Sequence, residues 1–494
     1  MRRKEKIILL SLIFLYGATR LFNLNILPVT TDEAIYLHWA RIIGDDFGQK
    51  FLPLMDGKTP LFMWFAIPFL KLIPDPFIAG RVLSILFGFG TLMTLELLAS
   101  ALFGGKAWFW VGLLYLVTPF ALMHDRLALV EGMLLFWEVL FLYFLVRLAQ
   151  YPSAWFAIAV GGTFGLAFWT KPSALLFALF IPLSMLLVHR TQFRPWFTRI
   201  IIGIFVGGCI VFSLSLSPHF QTIFVRSKEY TYSFAEIFLR PGQIILGNGQ
   251  SLVNWIVMNH TLAIIVGSLI GLIWMLQRHM RTGVFLLLCF LGLFSMLSAT
   301  GKVLYPRYTF ILTPFIILPF AFLLSRGFSR IRSVGLRVLV GVLLPIVMMQ
   351  ALQFDRALLL KPESAPWVDV DQWQYFSSWA SGYGVKEAVE LLADRAQIHP
   401  IVVGSEGRFG NPYDSLALAF WDNPNVRVVA ADFTRTWPEV LDQIDGDAYY
   451  VVHKSRYPVL LPPDIERIMQ FVKPSFGDEK EELWVLHKLP EETL

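Results

Sequence analysis

Long runs of apolar residues, separated by short polar segments, dominate most of the chain. Each run is close to the ~20 residues that an α-helix needs to cross a bilayer. The pattern predicts about eleven spanning helices, at 7–27, 80–102, 107–123, 128–147, 154–170, 173–188, 200–217, 253–276, 283–299, 308–325 and 334–353. We therefore expect a polytopic α-helical membrane protein.

One further apolar segment, 60–73, is shorter and is bounded by Pro60 and Pro74. It fits a helix that lies in the interface, or that enters and leaves by one face, better than a spanning helix. Without it, and with a cytoplasmic N-terminus, most Lys and Arg residues of the short loops fall on the inner side, as the positive-inside rule requires. If 60–73 did span, the count would rise by one and everything after it would be inverted.

The start of the chain bears on its location. Its basic residues lead into segment 7–27 without a small-residue cleavage site, so we expect this segment to stay as the first span. The expected location is the cell (plasma) membrane, with a cytoplasmic N-terminus and an extracytoplasmic C-terminal domain.

From about residue 353 the pattern changes. Strand-length apolar groups at 401–403, 426–430 and 448–452 alternate with helix-like patterns at 386–395, 437–444 and 463–472. Such alternation predicts a small α/β domain. The expected division is a transmembrane domain, 1–353, with its first outer loop at 28–60, and an extracytoplasmic α/β domain, 354–494. The glycine-rich turn at 404–410 lacks the spacing of a nucleotide-binding fingerprint.

Composition supports the membrane class. The chain is 56% hydrophobic and only 16% charged, with a mean hydropathy of +0.60, whereas soluble domains are about 25% charged. The net charge of +5 is not concentrated in a basic tail or helix face, so no nucleic-acid partner is expected. Cys209 and Cys289 lie inside apolar runs, which argues against a disulfide framework and a zinc cluster.

Asp32 and Glu33 follow the first span directly, and in this topology the candidate chemistry falls on the outer side. A solvated loop explains the two acids without catalysis. So does a cap, in which Asp32 begins the helix that continues with Glu33. Catalysis is the alternative interpretation, and the two residues by themselves leave it open.

Three basic residues fall on the outer side: Lys58 in the first outer loop, and Lys171 and Arg307 at the outer ends of spans. Lys58 and Arg307 could sit at headgroup level, where basic side chains extend toward lipid phosphates. Lys171 could contact a phosphate or merely mark the interface. Arg307, between Pro306 and Tyr308 at the mouth of a span, is less easily explained by the interface alone.

An ordered set of residues runs through the membrane part of the chain: Arg20, Thr31, Asp32, Glu33, Ala34, Tyr36, Lys58, Thr59, Pro60, Leu61, residues 80–84, Arg126, Glu131, residues 165–167, Thr170, Lys171, Arg307 and Tyr308. This set resembles the bacterial relatives of the dolichyl-phosphate-mannose protein mannosyltransferases, including the lipid A aminoarabinose transferases. The resemblance covers about residues 7–325 and implies the C-type glycosyltransferase (GT-C) fold.

The resemblance implies a polyprenyl-phosphate sugar donor held in membrane lipid, and a hydroxyl acceptor on a protein, glycolipid or cell-wall glycan at the outer face. A phosphate leaving group needs no general acid, but the reaction needs a carboxylate for the acceptor's proton and cations for the developing charge. The implied roles are catalysis by Asp32 and Glu33, donor-phosphate binding by Lys58, Arg307, Tyr308 and Lys171, and support by Tyr36, Asp56, Arg126 and Glu131. Asp32 is the expected general base, and Glu131 is expected to face the site near Arg126.

The chain departs from the family pattern around Lys58. Lys-Thr-Pro replaces the usual Lys-Pro-Pro, and Gly57 replaces the acid that precedes the lysine in the lipid A branch. Asp56 lies one position earlier. A divalent metal cation would need oxygen ligands, for which Asp32 and Asp56 are the candidates, so a metal cofactor stays open.

Two other classes of function remain alternatives. A transporter or flippase of lipid-linked saccharides would show polar residues near the bilayer midplane and inverted repeats. No repeat is visible and the charged groups crowd toward one face, which favours an enzyme. The altered lysine motif also leaves open an inactive membrane scaffold with a binding C-terminal domain.

Overall fold

The computed structural model describes residues 3–431, 437–442, 447–457, 460–475 and 480–489. By its internal contacts the chain forms two compact units. The first unit contains Met1–Asn23, Gly48–Trp64 and Val82–Lys361, and the second contains Leu24–Phe47, Phe65–Arg81 and Pro362–Leu494. Each unit is therefore assembled from segments that are far apart in sequence.

Helices make up most of the chain. The α-helices are α1 (Arg3–Leu21), α2 (Thr31–Asp45), α3 (Leu61–Leu72), α4 (Pro76–Phe103), α5 (Ala107–Leu116), α6 (Pro119–Asp125), α7 (Val130–Gln150), α8 (Ala154–Thr170), α9 (Phe180–Leu183), α10 (Phe193–Ser215), α11 (Thr222–Tyr230), α12 (Phe234–Leu239), α13 (Gly247–His260), α14 (Leu262–Arg278), α15 (Met280–Thr300), α16 (Thr313–Arg330), α17 (Val334–Val347), α18 (Met349–Leu360), α19 (Asp369–Gln372), α20 (Val385–Ala396), α21 (Tyr413–Ala419) and α22 (Glu439–Asp442).

Several helices are apolar enough to cross a membrane. Within the described residues, five qualify by length and composition: Pro76–Phe103, Val130–Gln150, Arg190–Ser215, Met280–Thr300 and Pro306–Arg330. Three bent pairs, α5 with α6, α13 with α14 and α17 with α18, raise the number to eight if each pair is one span. Shorter apolar helices occur at Leu61–Leu72, Ala154–Thr170 and Pro172–Leu187. The polytopic helical class is thus confirmed, whereas the number of spans remains a prediction.

The predicted segment 253–276 is not one straight helix. The chain turns by 105° between α13 and α14. At the break, Thr261 adopts φ 69° and ψ 152°, a backbone conformation that is unfavourable for a β-branched residue. Hydropathy reports only length and composition, so it could not predict this bend.

Small residues allow α8 and α10 to pack closely in the first unit. A Cβ atom at Gly161 would lie 2.3 Å from the Gly203 carbonyl oxygen, and one at Gly207 would lie 3.2 Å from the Gly161 carbonyl oxygen. Close approach of backbones at small residues is a common way for apolar helices to associate. At position 161, therefore, α8 has no room for a side chain larger than that of glycine.

A five-stranded mixed sheet forms the centre of the second unit. Its strands are β1 (Ile401–Glu406), β2 (Val426–Ala431), β3 (Asp447–His453), β4 (Ile465–Val472) and β5 (Glu482–Lys488), in the order β2-β1-β3-β5-β4. β1 is parallel to β2 and β3, and β5 is antiparallel to β3 and β4. The small α/β domain predicted from the sequence is confirmed.

Alternating side chains cover the two faces of this sheet. Val403 and Val451 pack with Leu392 of α20 on one face. Val402 and Tyr450 pack with a second apolar cluster on the other face. The predicted helix at 386–395 lies inside α20, and of the predicted 437–444 only α22 is helical, because 443–444 fall outside the described residues.

The helix predicted at 463–472 is wrong, because these residues form the edge strand β4. Ile465, Ile468, Met469 and Val472 are spaced as on one face of a helix. In the structure a β-bulge interrupts the pairing of β4 with β5 between Arg467 and Met469. The extra residue of a bulge shifts the alternation of a strand, so the sequence imitates a helical period.

Candidate functional site

Glu131, Lys171 and Arg307 come from three separate elements of the first unit. Glu131 lies in the first turn of α7, where the helix dipole favours a negative charge. Lys171 follows the last residue of α8, since Pro172 disfavours helical backbone at the residue before it. Arg307 lies in the 3-10 turn Pro306–Leu312.

The Glu131 carboxylate is the point where both cations meet. Lys171 Nζ donates to Glu131 Oε1 at 2.9 Å, and Arg307 Nε lies 3.6 Å from the same oxygen. The side chain of Glu131 is 6% exposed, that of Arg307 8% and that of Lys171 23%. Two cations thus share one carboxylate in a largely buried setting, and the group carries a net positive charge.

Aromatic rings hold the two cations in place. Lys171 Nζ lies 4.3 Å from the centre of the Tyr308 ring. Arg307 Cζ lies 5.0 Å from the centre of the Tyr305 ring and 5.8 Å from that of Tyr308. Such cation–π contacts stabilise a cation without neutralising it. The structure therefore brings together Glu131, Lys171, Arg307 and Tyr308, each of which the sequence analysis proposed separately.

His124 is a neighbour that the sequence analysis did not propose. It is 1% exposed, packs on Phe310 and is electrostatically coupled to Glu131, Lys171 and Arg307. Neither of its ring nitrogens has a hydrogen-bond partner among the residues that the structure describes, and neither has Glu131 Oε2. Buried polar atoms are normally hydrogen-bonded, so these atoms favour a polar ligand beside the cations.

Lys58 has a carboxylate and a second cation beside it. Lys58 Nζ lies 3.3 Å from Asp56 Oδ2, and Arg226 Nη2 donates to Asp56 Oδ1 at 2.5 Å. Gly57 has φ 72°, and a Cβ atom there would lie 2.8 Å from Arg226 Cβ. The approach of Arg226 therefore requires glycine at position 57.

Tyr230 links the Lys58 group to Tyr308. It ends α11, and burial raises its pKa. Its hydroxyl is electrostatically coupled to Lys58, Asp56, Arg226 and Tyr308. Tyr230 thus lies between the Lys58 group and Tyr308, which itself contacts Lys171. The sequence gives no signal for Arg226 or Tyr230, because both lie in a long loop without a motif.

In the second unit, Glu33 is held by Arg81. Arg81 Nε donates to Glu33 Oε1 at 3.0 Å and Nη2 donates to Oε2 at 3.2 Å, with both side chains 1% exposed. Glu33 Oε2 also accepts from the Thr30 N–H at 3.0 Å, and the Thr30 hydroxyl accepts from the Glu33 N–H. Thr30, and not Asp32, therefore caps α2, in a capping box. This geometry favours a structural role for Glu33 over the expected catalytic one.

Asp32 lies in the first turn of the same helix but is only partly buried. This is a position where the helix dipole favours an ionised carboxylate. Tyr36, one turn further along α2, is buried with its ring 6.5 Å from that of Trp39. Of the two adjacent acids, Asp32 is thus the less buried one.

Arg126 and Arg20 organise the end of α1 in the first unit. Arg126 Nη2 donates to the carbonyls of Phe22 and Asn23 at 2.9 and 2.8 Å. Arg20 Nε donates at 3.2 Å to Asp125, both fully buried. The acid that the sequence analysis associated with Arg126 was Glu131, which takes Lys171 and Arg307 as partners. The sequence does not single out Asp125, since it lies in a short loop between two predicted spans and belongs to no motif.

The candidate metal ligands, Asp32 and Asp56, give little support for a metal site. No group of three or more His, Cys, Asp or Glu side chains suited to hold a metal occurs within the described ranges. Of the two candidate ligands, Asp56 has a cation at each of its oxygens. Such a carboxylate is already charge-compensated and does not fit a divalent cation.

The sequence comparison gives one family. Residues 57–219 match the family described as dolichyl-phosphate-mannose-protein mannosyltransferase. No curated protein sequence shows significant similarity to this chain. The match confirms the resemblance predicted from the ordered motifs.

Solved structures extend the likeness to nearly the whole chain. ArnT from Cupriavidus metallidurans, bound to undecaprenyl phosphate, superposes with a TM-score of 0.59 at 14% identity, covering 97% of each chain. The oligosaccharyltransferase of Archaeoglobus fulgidus, in complex with Zn and sulfate, has a TM-score of 0.54 at 11% identity. It covers 90% of this chain and 67% of its own. The oligosaccharyltransferase AglB from Archaeoglobus fulgidus, in complex with an inhibitory peptide and a dolichol-phosphate, has a TM-score of 0.52 at 10% identity and covers 91% of this chain and 69% of its own.

At these identities the likeness establishes the fold. The chain is a multi-pass membrane protein of the GT-C fold with a small C-terminal sheet domain. The fold predicted from the sequence is confirmed.

Proposed function

We propose that this chain transfers a sugar from a polyprenyl-phosphate donor to a hydroxyl acceptor. The observation that carries the proposal is the group of Lys171 and Arg307 around Glu131, which has a net positive charge. Both ring nitrogens of the nearby His124, and Glu131 Oε2, have no hydrogen-bond partner within the described part of the chain. Solved relatives with the same fold are bound to undecaprenyl phosphate and dolichol-phosphate. A lipid-linked phosphate is the ligand that suits this group.

Phosphate chemistry explains the residue types. Arg307 and Lys171 would hold the donor phosphate, because guanidinium and ammonium groups form charge-assisted hydrogen bonds to phosphate oxygens. Lys58, near the second carboxylate Asp56, would add a further cation. Tyr308, in contact with Lys171 and Arg307, would fix their orientation. These cations would stabilise the charge that grows on the phosphate as the sugar leaves.

The transfer itself is a direct displacement. The acceptor oxygen forms a bond to the anomeric carbon, and the bond from that carbon to the phosphate oxygen breaks with its electron pair going to the phosphate. The acceptor's proton moves to a carboxylate, for which we assign Asp32. Its partly exposed place in the first turn of α2 supports the assignment, whereas both oxygens of Glu33 accept hydrogen bonds from Arg81. We derive no step through a metal ion.

The remaining proposals concern the location and topology of the protein, the sugar and the acceptor. We propose a plasma-membrane location, a cytoplasmic N-terminus, and an extracytoplasmic C-terminal α/β domain. The sugar would be a hexosyl or pentosyl group. The acceptor hydroxyl would belong to a protein, a glycolipid or a cell-wall glycan.

Transfer assays with reconstituted protein test this function. Proteoliposomes would receive radiolabelled polyprenyl-phosphate sugars and a cell-envelope extract as the source of acceptor. The proposal predicts labelled acceptor with wild type, and loss of label when Arg307 is replaced by Met. Label that crosses the bilayer on intact donor without being transferred would instead indicate a flippase.

A further inference from the structure

Three titratable side chains form a buried chain at one end of the sheet in the second unit. Glu406 ends β1, His453 ends β3 and Lys473 follows β4. The side chains of Glu406 and His453 are 1% and 0% exposed, and Lys473 is 2% exposed. A lysine this deeply buried is unusual unless its charge is compensated.

The hydrogen bonds among Glu406, His453 and Lys473 indicate which of these side chains carries each proton. The His453 backbone N–H donates to Glu406 Oε2 at 3.1 Å, and His453 Nδ1 bonds to Glu406 Oε1. Lys473 Nζ lies 2.8 Å from His453 Nε2. A neutral His453 that donates from Nδ1 to the carboxylate and accepts at Nε2 satisfies all three groups.

The ammonium of Lys473 also holds a segment of main chain. It donates to the carbonyl oxygens of Ser378 and Ser381 at 2.9 and 2.7 Å. With His453 Nε2 as the third acceptor, each of its three hydrogens has a partner. A neutral amine has only two hydrogens, so it could not keep all three contacts as donor.

This segment is paired with the residues that precede Asp32. The Thr31 N–H and hydroxyl donate to the Ala380 carbonyl oxygen at 3.2 and 2.8 Å. The Gly382 N–H donates to the Val29 carbonyl oxygen at 2.7 Å. Thr31 is the first residue of α2, so the pairing fixes the point at which this helix begins.

The glycine-rich turn 404–410 and the adjacent Asn411 make further contacts with the residues at the start of α2. Asn411 Nδ2 donates to the carbonyls of Val29 and Ala380, each at 3.1 Å. Gly410 has φ 84°, and a Cβ atom there would lie 2.9 Å from Thr31 Cγ2. The turn that lacked a nucleotide fingerprint in the sequence thus packs against the start of α2.

We propose that Lys473, aligned by His453 and Glu406, is a positioning residue that fixes residues 378–382 and, through them, the start of the helix that carries Asp32. The inference rests on the proposed function, in which Asp32 accepts the acceptor's proton. Lys473 contacts no reacting atom in this account. Its hydrogen bonds hold residues 378–382, and these residues pair with the start of α2. In this way Lys473 keeps the Asp32 carboxylate within a small range of positions.

The charge of Lys473 gives this arrangement a pH dependence. Burial lowers the pKa of Lys473 to about 7, with Glu481 and Glu406 opposing the shift and Arg456 adding to it. Burial raises the pKa of Glu406 to about 7 and lowers that of His453 well below its usual range. Above the pKa of Lys473 the third hydrogen is lost, so the hold on residues 378–382 weakens and turnover falls on the alkaline side.

Hydrogen exchange on the full-length protein in nanodiscs tests the positioning directly. Lys473→Met removes the donors and keeps an apolar side chain of similar length. We expect amide exchange in peptides covering 29–36 and 378–384 to become at least about tenfold faster, because hydrogen-bonded amides exchange through local opening. Lys454→Met is the matched control, since Lys454 is half exposed and pairs with Glu482 in the same domain.

Kinetics supply a second readout that a general loss of folding would not give. The kcat of Lys473→Met should fall about tenfold or more, since small misplacement of a catalytic group costs this much. Its dissociation constant for undecaprenyl phosphate should stay within about twofold of wild type. The alkaline limb of the wild-type kcat profile should disappear in the variant.

Asn411→Ala is the second test if Lys473→Met unfolds the domain, because it removes one amide and no charge from the buried group of Lys473, His453 and Glu406. It should speed exchange of the same two peptides, and its effect on kcat should be less than additive with that of Lys473→Met. Unchanged exchange at 29–36 in both variants would overturn the proposal. Faster exchange in a protein without any transferase activity would uphold the positioning and refute the proposed function.

Discussion

At the scale of single residues, Glu131 fixes the positions of two cationic side chains of the first unit, Lys171 and Arg307. Its Oε1 is shared by Lys171 and Arg307, so both side chains are ordered before any ligand arrives. Ordering in advance reduces the entropy that binding must offset. The net positive charge then remains available for a phosphate.

Replacement of Lys171 by Met should weaken binding of undecaprenyl phosphate. A hydrogen bond to a charged group contributes roughly 1.5–3 kcal/mol, and each 1.4 kcal/mol is about a factor of ten. The dissociation constant should therefore rise about ten- to a hundredfold, as measured by titration of the purified protein. Lys302→Met, at an exposed lysine of the same unit, should bind like wild type. Equal binding by all three proteins would remove Lys171 from the site.

Loss of the negative charge of Glu33 should lower the stability of the protein without abolishing sugar transfer. Glu33→Gln leaves Arg81 buried without its counter-charge, and breaking a buried ion pair costs roughly 3–5 kcal/mol. We expect a lower thermal unfolding temperature and measurable transfer well below it. Glu390→Gln, in an exposed pair with Lys386, is the control. If Glu33→Gln had wild-type stability but no activity, Glu33 would be the catalytic carboxylate.

At the scale of elements, periodicity predicted what depends on local sequence. β1, β2 and β3 appear as short apolar groups because buried strands need them. The pattern of β4 predicts a helix instead, because a bulge beside Arg467 changes the alternation of this strand. The break at Thr261 was not predictable either, since it depends on a single backbone conformation that nothing in the local pattern requires.

The contact between α8 and α10 offers a test at this scale. Gly161→Val would force a side chain into the backbone of α10, because a Cβ atom at position 161 would lie only 2.3 Å from the Gly203 carbonyl oxygen. The adjacent Gly162 has nothing within 4 Å of the same position. Thermal unfolding in detergent should therefore show a clear loss of stability for Gly161→Val and little change for Gly162→Val. Equal stability of the two variants would contradict the packing described.

At the scale of the whole molecule, the composition of the two units could not be predicted from the sequence. The start of α2 was assigned to the transmembrane domain as part of its first outer loop, whereas the structure groups residues 24–47 with the C-terminal residues. The contacts responsible are remote: Arg41 pairs with Asp422, and Asp45 accepts from Trp421. A single sequence contains no signal for pairs so far apart.

The same limit applies to the candidate site. The sequence predicts site roles for Lys58, Lys171, Arg307 and Glu131 because they belong to the ordered set that resembles a known family. Their grouping into Lys171–Glu131–Arg307 and Lys58–Asp56–Arg226 became visible only in the structure. His124 and Arg226 were missed because neither stands in a motif.

The central claim is that one protein both binds a polyprenyl-phosphate donor and uses Asp32 to activate the acceptor. We would measure donor binding and single-turnover transfer on the same preparations of wild type, Asp32→Asn and Asp45→Asn. The account predicts that Asp32→Asn binds undecaprenyl phosphate like wild type but transfers at least about a hundredfold more slowly, while Asp45→Asn retains both. Undiminished transfer by Asp32→Asn would contradict the account.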